Sequence, residues 1–256
     1  MGKIYTIANQ KGGVGKTTTT INLGAYLAHY DQKVLLVDID PQANATSSLG
    51  VEKNEIKGGT YQAILDEDNI QDYILHNPRL KVSLLPASPD LAGAEIELVN
   101  EVGRETLLKR KLANLKPDYD YILVDCPPSL GLLTLNGLVT AVDGILIPVQ
   151  CEYLAMEGLG QLISTINQVQ RVLAPDLAVR GVIMTMYDGR TNLAQDVVNE
   201  VKRFFPGKVF DSVIPRSIRL AEAPSYGVTI TLYAPPSEGA KAYLNIAHEI
   251  LLQYHG

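Results

Sequence analysis

The chain has 256 residues, of which 46% are hydrophobic and 20% charged, and its net charge is −6. This composition is typical of a soluble globular protein with one substantial core, and the acidic balance argues against a surface that is basic all round. The two cysteines, Cys126 and Cys151, lack a C-x-x-C spacing, which argues against a disulfide framework or a zinc site. No apolar run reaches the roughly 18 residues of a membrane span, and no secretion signal is visible, so we expect a cytoplasmic protein.

Short apolar runs alternate with longer segments of helical periodicity. The runs are Ile4–Ala8, Val34–Asp38, Val82–Pro86, Tyr121–Asp125, Gly144–Val149, Gly181–Met186 and Val209–Ile214. Because polar residues do not alternate within them, these runs are typical of strands covered on both faces. The helical segments include Thr17–Tyr30, Glu157–Leu173 and Leu193–Phe204. The pattern predicts an α/β fold in a single domain over residues 1–256, with a doubly wound, mainly parallel sheet flanked by helices on both faces. Ligands are expected at the carboxyl ends of the strands.

A glycine-rich loop follows the first predicted strand, in the stretch NQKGGVGKTTTT at residues 9–20. Glycines let backbone N–H groups approach phosphate oxygens, and the N-terminus of the next helix adds partial positive charge. Lys16 is expected to reach the β- and γ-phosphates of a nucleotide, and the Thr17 hydroxyl to bind magnesium. The expected nucleotide-binding residues of this loop are Gly12, Gly13, Val14, Gly15, Lys16, Thr17 and Thr18.

The loop departs from the usual G-x-x-x-x-G-K-[ST] pattern in two ways. Gln10 occupies the position of the first glycine, and a second lysine, Lys11, precedes the glycines. An ordinary phosphate loop needs no charge at that position, so Lys11 requires a separate explanation.

Acidic residues follow two other predicted strands. The run VLLVDIDP contains Asp38 and Asp40, and the run YILVD ends in Asp125. An NTPase needs carboxylates to hold magnesium and to place the attacking water. Alternation along a strand puts Asp38 and Asp40 on the same side. We therefore predict a magnesium site at this edge of the sheet, with the Thr17 hydroxyl and the acids Asp38, Asp40 and Asp125 as candidate residues.

Together these stretches resemble the deviant Walker A ATPases, and most closely the ParA/Soj-type DNA-partitioning ATPases. The matching blocks are NQKGGVGKTTT at 9–19, LLVDIDPQANATSSLG at 35–50, LLPASPDLAGAEIEL at 84–98, YDYILVDCPPSLGLLTLN at 119–136, PVQCEYLAMEGL at 148–159, TMYDGRTNL at 185–193 and VIPRSIRLAEAPSYG at 213–227. The similarity covers nearly the whole chain.

The resemblance implies a role for each matching residue. Lys11 is the signature lysine that reaches across a dimer to the ATP of the other subunit, and Gly12 lies where the two subunits pack closely. Asp40 orders the attacking water, and Asp125 supports the magnesium through water. The implied catalytic residues are Lys11, Lys16 and Asp40, and the implied metal-site residues are Thr17, Asp40 and Asp125. The implied adenine contacts are Pro215 and Ser217.

The same resemblance implies a function for the whole chain. ATP and Mg²⁺ are the expected cofactors, and the ATP-bound form is a homodimer that binds nonspecific DNA and associates with the nucleoid. A DNA-bound protein of the ParB/Spo0J type stimulates hydrolysis and resets the cycle, which segregates a chromosome or plasmid. A lysine offered across the dimer favours assembly only while the γ-phosphate charge is present, so the nucleotide acts as a switch.

The second half of the chain contains a basic segment. Residues 171–220 hold eight Lys/Arg and five Asp/Glu, a net charge of +3 within a chain of −6. Clustered basic residues bind phosphate backbones without reading base sequence. The resemblance implies that Arg190 and Arg219 contact DNA. The alternative for these arginines is a solvated surface with intramolecular ion pairs.

Three other functions fit parts of the pattern. A MinD-like, membrane-associated cell-division regulator shares the nucleotide site but has an amphipathic C-terminal helix. Here the tail NIAHEILLQYHG is short, and no Lys or Arg follows Lys241, so no stable membrane anchor is expected. An iron–sulfur reductase needs cysteines at a dimer interface, and Cys126 and Cys151 fit no such pattern. A metabolic kinase needs an acceptor-binding block, and none is obvious.

Overall fold

The computed structural model describes residues 2–65, 69–153 and 155–252, and a seven-stranded sheet lies at its centre. The strands are β1 (Lys3–Ile7), β2 (Val34–Asp38), β3 (Leu75–Asn77), β4 (Val82–Leu85), β5 (Tyr121–Asp125), β6 (Gly144–Gln150) and β7 (Val179–Thr185). Their spatial order is β3-β4-β2-β5-β1-β6-β7. The β3–β4 pair is antiparallel and the other pairs are parallel.

Helices connect the strands. The α-helices of the described residues are α1 (Lys16–His29), α2 (Asn44–Ser48), α3 (Thr60–Leu65), α4 (Leu91–Glu97), α5 (Leu107–Ala113), α6 (Leu132–Thr140), α7 (Ala155–Val172), α8 (Asn192–Phe204), α9 (Ile218–Glu222), α10 (Ile230–Tyr233) and α11 (Glu238–Leu252). Short 3-10 helices cover Ile70–Tyr73, Leu98–Asn100, Arg104–Thr106 and Ala223–Tyr226. Within the described ranges, no helix has the length and apolar character to cross a bilayer.

Helices cover the sheet on both faces, which confirms the predicted doubly wound α/β fold. On one face, Tyr5 of β1 belongs to the buried cluster formed with α1, α10 and α11. On the other face, Ile4 belongs to the cluster formed with α5, α6, α7 and α8. Because helices cover both faces of the sheet, the side chains on both faces of its strands are buried, which explains the uninterrupted Val, Ile and Leu runs. Gly24 lets α1 lie close to β2, because a Cβ there would stand 2.5 Å from a Leu36 methyl carbon.

The strand order places three loops together at one edge of the sheet. From β1 the chain crosses to β2 on one side, whereas from β5 it crosses to β6 on the other side of β1. Asp125, the last residue of β5, pairs in register with Ile7 of β1 and Asp38 of β2. The loops after β1, β2 and β5 therefore meet where the direction of winding reverses, which is where α/β sheets bind ligands.

The prediction of a strand at Val209–Ile214 is wrong. The segment makes only isolated pairings with the β7 region, at Val182–Val209 and Tyr187–Pro215. Between them the backbone N–H groups of Asp211 and Ser212 donate to the carboxylate of Glu249, at 2.8 and 3.0 Å. These two N–H groups therefore donate no hydrogen bond to β7, and the pairing with β7 is interrupted. The antiparallel edge strand β3 was not predicted.

The Asp143 carboxylate holds the start of β1, and we expect its removal to destabilise the fold. Its oxygens accept from the Ile4 N–H at 3.0 Å and from Lys116 Nζ at 2.9 Å, and they lie 3.2 Å from Lys3 Nζ. Asp143→Ala should lower the free energy of unfolding by about 1–3 kcal/mol at neutral pH, because these donors lose their acceptor. Urea unfolding measures this, with exposed Asp176→Ala as the control that should change little.

The pH dependence of that loss has a definite sign. Burial opposes ionisation of Asp143, but the hydrogen bonds from Lys116 and from the Ile4 N–H outweigh it and lower the pKa of the carboxyl. A depressed pKa contributes stability above the unfolded-state pKa, and this stability is lost as the pH falls through the folded-state pKa. The wild type and Asp143→Ala should therefore differ at pH 7 and converge in acid. A difference that persists undiminished below the range of aspartate titration would contradict this assignment.

Candidate active site

Hydrogen bonds to the β6 backbone and from a β7 side chain fix the glycine-rich loop between β1 and α1. The Asn9 amide donates to the Pro148 carbonyl at 2.7 Å, and its Oδ1 accepts from the Lys11 N–H at 3.0 Å. The Thr185 hydroxyl donates to the Val14 carbonyl at 2.8 Å. The loop is therefore anchored at both ends before any ligand binds.

The loop backbone needs its glycines. Gly13 and Gly15 have φ values of +72° and +92°, a region that side-chain-bearing residues rarely adopt. A Cβ placed on Gly12 or Gly13 would meet no atom within 4 Å, so open space lies in front of this part of the loop. Helix α1 begins at Lys16 and has no side-chain cap at its N-terminus. Its first N–H groups are therefore free to bind an anion.

Lys16 is a buried cation at the base of this space. The residue is only 7% exposed, and its Nζ donates to the Lys11 carbonyl at 3.1 Å. Burial lowers the Lys16 pKa, while the nearby carboxylates of Asp125 and Asp40 act in the opposite direction. A buried ammonium is costly unless an opposite charge compensates it. The position therefore favours an anionic ligand.

Asp125 is buried beneath the start of α1. Its Oδ2 accepts from the Thr17 hydroxyl at 2.7 Å, and its Oδ1 accepts from the Thr20 hydroxyl at 3.1 Å. Burial, followed by repulsion from Asp38, raises the Asp125 pKa. Asp125 thus orients the hydroxyl that the sequence assigns to magnesium, and Thr20 is a second hydroxyl on the same carboxylate.

The two acids of the β2 end differ in their surroundings. Asp38 is fully buried, and its oxygens accept from the Asp40 N–H at 3.1 Å and from the Thr46 N–H and hydroxyl at 2.9 and 2.8 Å. Asp40 lies beyond the last residue of β2 and lines the cavity in front of the loop. One of its oxygens accepts from the Gln42 N–H at 2.9 Å. Asp38 therefore holds the turn, and Asp40 faces the space where a nucleotide phosphate fits.

Two adjoining cavities form one cleft. The cavity in front of the loop has a volume of about 380 Å³ and is lined by Gly12, Gly13, Gly15, Lys16, Thr17, Thr18, Asp40, Asn44, Ser48, Pro128, Met186 and Pro224. A second, more apolar cavity of about 100 Å³ is lined by Gly15, Thr18, Thr185, Met186, Ile214, Pro215, Ser217, Leu220, Ala221 and Tyr243. Gly15, Thr18 and Met186 belong to both. The structure thus brings Pro215 and Ser217 next to the loop, about 200 residues away in sequence.

Sequence reasoning missed some residues of this cleft. Met186 lines both cavities with a φ of +51°, which is rare for a residue with a side chain and is typical of functional sites. Tyr243 is buried in α11 and shares a 3.1 Å hydrogen bond with Thr19. Neither residue has a local sequence signal, because only the fold places it at the cleft. Thr20, in contrast, belongs to the KTTTT run and could have been singled out.

The residues present fit a magnesium ion that is bound together with phosphates. Within the described residues, no three His, Cys, Asp or Glu side chains cluster as a metal site. Mg²⁺ commonly takes one or two protein oxygens and completes its shell with phosphates and water. The Thr17 hydroxyl and the Asp40 carboxylate line the cavity, and Asp125 is buried behind Thr17 and holds its hydroxyl, which matches that requirement without a protein cage.

Lys11 lies at the rim and contacts the same chain. Its Nζ is 3.7 Å from Glu152 Oε2, with the Lys11 and Glu152 side chains 34% and 44% exposed. The other Glu152 oxygen accepts from Arg216 at 3.2 Å. Exposed ion pairs of this kind contribute about 0–1 kcal/mol, so the pair with Glu152 is easily exchanged for a stronger anion.

Arg190 and Arg219 lie on neighbouring surface segments, each beside an acid. The Arg190 guanidinium donates to both oxygens of Asp188, at 2.8 and 2.7 Å, and the hydrogen bond from that guanidinium lowers the Asp188 pKa to about 2. Arg219 donates to Glu222 at 3.2 Å. The ion pairs predicted as the alternative are therefore present. The Arg190 and Arg219 side chains are nevertheless 88% and 61% exposed, so both remain accessible.

Comparison with known proteins identifies the family. Residues 2–179 match the family model described as an AAA domain. The chain is 55% identical to the sporulation initiation inhibitor protein Soj of Bacillus subtilis over 250 residues, which cover 98% of each chain. It is 51% identical to the chromosome partitioning protein ParA of Myxococcus xanthus, over 98% of this chain and 88% of that one.

A solved structure shares the fold over the whole chain. It is described as cobyrinic acid a,c-diamide synthase from Mycobacterium smegmatis with a bound ATP analogue and magnesium, and it is 39% identical. The TM-score is 0.88, and the match covers 100% of this chain and 97% of that one. With the loop, the acids and the identity to Soj and ParA taken together, the chain belongs to the ParA/Soj family of partitioning ATPases.

Proposed function

We propose that the protein binds ATP with magnesium in this cleft, and that ATP brings two copies together into a dimer that binds DNA without reading its sequence. Hydrolysis, stimulated by a DNA-bound protein of the ParB/Spo0J type, returns the protein to a monomer. The proposal rests mainly on one observation: Lys16, Thr17 and Asp40 face a single cavity, with Lys11 at its rim.

The cleft supports a specific placement of the nucleotide. The N-terminus of α1 and Lys16 bind the phosphates, because both offer positive charge into the larger cavity. The base occupies the smaller cavity, between Pro215 and Ser217 on one side and the loop on the other. The apolar lining of that cavity suits a planar base.

The side chains around the phosphates divide the work of hydrolysis. The Thr17 hydroxyl would hold magnesium, with the carboxylates of Asp40 and Asp125 supporting it through water, and the ion supplies charge neutralisation at the phosphates when it is bound. Asp125 keeps the Thr17 hydroxyl in position through their 2.7 Å hydrogen bond. Asp40 holds and orients the attacking water through the oxygen that faces the cavity.

Lys11 connects the nucleotide to assembly. Its contact with Glu152 is exposed and weak, so Lys11 can move to a phosphate that belongs to the other subunit. Gly12 has no Cβ, and the space before it is open, which permits close packing of two subunits at that point. Loss of the γ-phosphate after hydrolysis removes the strongest attraction for Lys11 and so favours dissociation.

The surface for DNA is formed by two segments that are hydrogen-bonded to each other. The Tyr187 N–H donates to the Ile214 carbonyl, and the Arg216 N–H donates to the Tyr187 carbonyl. This pairing brings the turn with Arg190 beside the segment that leads to Arg219. Guanidinium groups on adjacent segments suit the phosphate backbone of DNA, and they carry no base-specific signal.

Alanine at Arg219 or Arg190 should weaken DNA binding by about tenfold at low salt. Each substitution should also reduce the slope of log affinity against log salt by about one, because one phosphate contact releases one counterion fewer. Anisotropy with a fluorescent duplex of arbitrary sequence, in the presence of a slowly hydrolysed ATP analogue, measures both quantities. Exposed Arg171→Ala is the matched control. Unchanged affinity and slope at Arg219→Ala would remove this surface from the proposal.

The MinD-like alternative is less well supported. A membrane-binding helix needs a free apolar face. The apolar face of α11, the last described helix, is buried against α1 through Tyr243, Ile246 and Ile250. The tail residues 253–256, part of the stretch on which the prediction of no membrane anchor was based, lie outside the described residues.

A further inference from the structure

An exposed tyrosine, Tyr226, follows Arg219 on the same surface segment and stacks on the half-buried Tyr233 of α10. The Tyr226 side chain is 68% exposed, although large aromatic groups are usually buried. Its ring stacks on that of Tyr233, with a centroid distance of 5.1 Å and an interplanar angle of 28°. The exposed Tyr226 ring, supported from below by Tyr233, lines neither cavity of the nucleotide site.

One carboxylate joins this pair to Arg219. Tyr233 donates its hydroxyl to Glu222 Oε2 at 2.9 Å, and the Arg219 guanidinium donates to the same oxygen at 3.2 Å. Glu222 therefore holds the Arg219 guanidinium and the Tyr233 ring in a fixed arrangement. Because the Tyr226 ring stacks on the Tyr233 ring, the position of Tyr226 is also fixed relative to Arg219.

The inner side of this segment forms part of the nucleotide cleft. Leu220 and Ala221 line the smaller cavity, and Pro224 lines the larger one. Arg219 and Tyr226 of the same segment are exposed and line neither cavity. The segment that carries the exposed cluster therefore also forms part of the cleft wall.

We propose that Tyr226 is a further DNA contact, and that it binds the sugar–phosphate backbone of duplex DNA next to the phosphate held by Arg219. A phenol hydroxyl donates to a phosphate oxygen, and the ring packs against a deoxyribose. This contact is neutral, so it adds affinity without adding a counterion-releasing charge. The inference rests on the proposed binding of nonspecific DNA.

The test of this proposal distinguishes the contribution of the Tyr226 hydroxyl from that of the Arg219 charge. Tyr226→Phe keeps the stacked ring and removes the hydroxyl, and Tyr226→Ala removes both. Tyr30→Phe is the control, because it removes a phenol hydroxyl just past the end of α1 that is opposite the loop. Duplex affinity is measured by anisotropy over a range of salt concentrations with a slowly hydrolysed ATP analogue. ATP hydrolysis without DNA serves as the check on folding.

We expect Tyr226→Phe to weaken duplex binding by about tenfold, as the loss of one hydrogen bond to a charged group would. Tyr226→Ala should weaken it further. The salt slope should stay at the wild-type value in both variants, whereas it falls by about one in Arg219→Ala. ATP hydrolysis without DNA, and the control variant, should be unchanged.

Three results would overturn the inference. One is duplex affinity at the wild-type level in both Tyr226→Phe and Tyr226→Ala. Another is a reduced salt slope in the Tyr226 variants, which would mean that the ring only supports Arg219. The last is weakening confined to single-stranded DNA, which would indicate base stacking. If the wild type itself bound no duplex, the proposed DNA function would fail, which is a different result from wild-type binding that ignores Tyr226.

Discussion

Replacement of Asp40 by alanine is expected to lower the rate of ATP hydrolysis by about 10²- to 10⁴-fold, the usual contribution of a positioned base. ATP binding should persist, because the loop, Lys16 and the N-terminus of α1 remain. Asp40 is 6% exposed, and one of its oxygens is used by the Gln42 N–H, which leaves the other for water. Phosphate release under saturating ATP measures the rate, and equilibrium dialysis measures nucleotide binding.

Asp38→Ala is the informative comparison for this prediction. The Asp38 carboxylate accepts from Asp40 and Thr46 inside the fold and does not line the cavity. Its loss should lower thermal stability, since buried donors lose their acceptor. Asp40→Ala should lower thermal stability less, because only the partly buried Gln42 N–H loses its acceptor. Hydrolysis at the wild-type rate in Asp40→Ala would remove Asp40 from the catalytic residues.

Replacement of Lys11 by alanine is expected to abolish most of the ATP-dependent dimer. Removing one partner of a charge pair that is buried at an interface costs about 2–5 kcal/mol. Such a loss raises the dimer dissociation constant by about 30-fold to several thousand-fold. Size-exclusion chromatography with light scattering, in the presence of a slowly hydrolysed ATP analogue, measures the dimer directly.

Glu152→Gln is the matched variant for Lys11. It keeps the lysine and removes the carboxylate that holds it within the same chain at 3.7 Å. The dimer should then be retained or strengthened, because Lys11 no longer has to leave a counter-ion. A Lys11→Ala protein that dimerised as the wild type does would contradict the proposed role, whatever Glu152→Gln showed.

Much of the fold could be predicted from local patterns. Six of the seven predicted strands appear, because Val, Ile and Leu runs buried on both faces have few other uses. The seventh, Val209–Ile214, was wrong because Glu249 takes the N–H groups of Asp211 and Ser212. That competitor lies almost 40 residues away in sequence, so no local pattern reveals it.

The sequence predicted which residue types form the site, but it predicted their positions relative to one another less well. Lys16, Thr17 and Asp125 meet because a glycine-rich loop and a strand-terminal acid have fixed places in such a sheet. The difference between Asp38 and Asp40 could not be read from alternation, because β2 ends at Asp38 and the chain then turns. The acids beside Arg190 and Arg219 and the Tyr226–Tyr233 stack depend on side-chain positions, which a sequence pattern does not give.

We propose that the γ-phosphate of ATP switches DNA binding on through Lys11. Duplex affinity should therefore be measured for the wild type and Lys11→Ala with a slowly hydrolysed ATP analogue, with ADP, and without nucleotide. We expect the wild type to bind duplex in a salt-sensitive manner with the ATP analogue alone, and Lys11→Ala to lose this binding. Equal affinity with ADP and the ATP analogue, or wild-type affinity in Lys11→Ala, would contradict it.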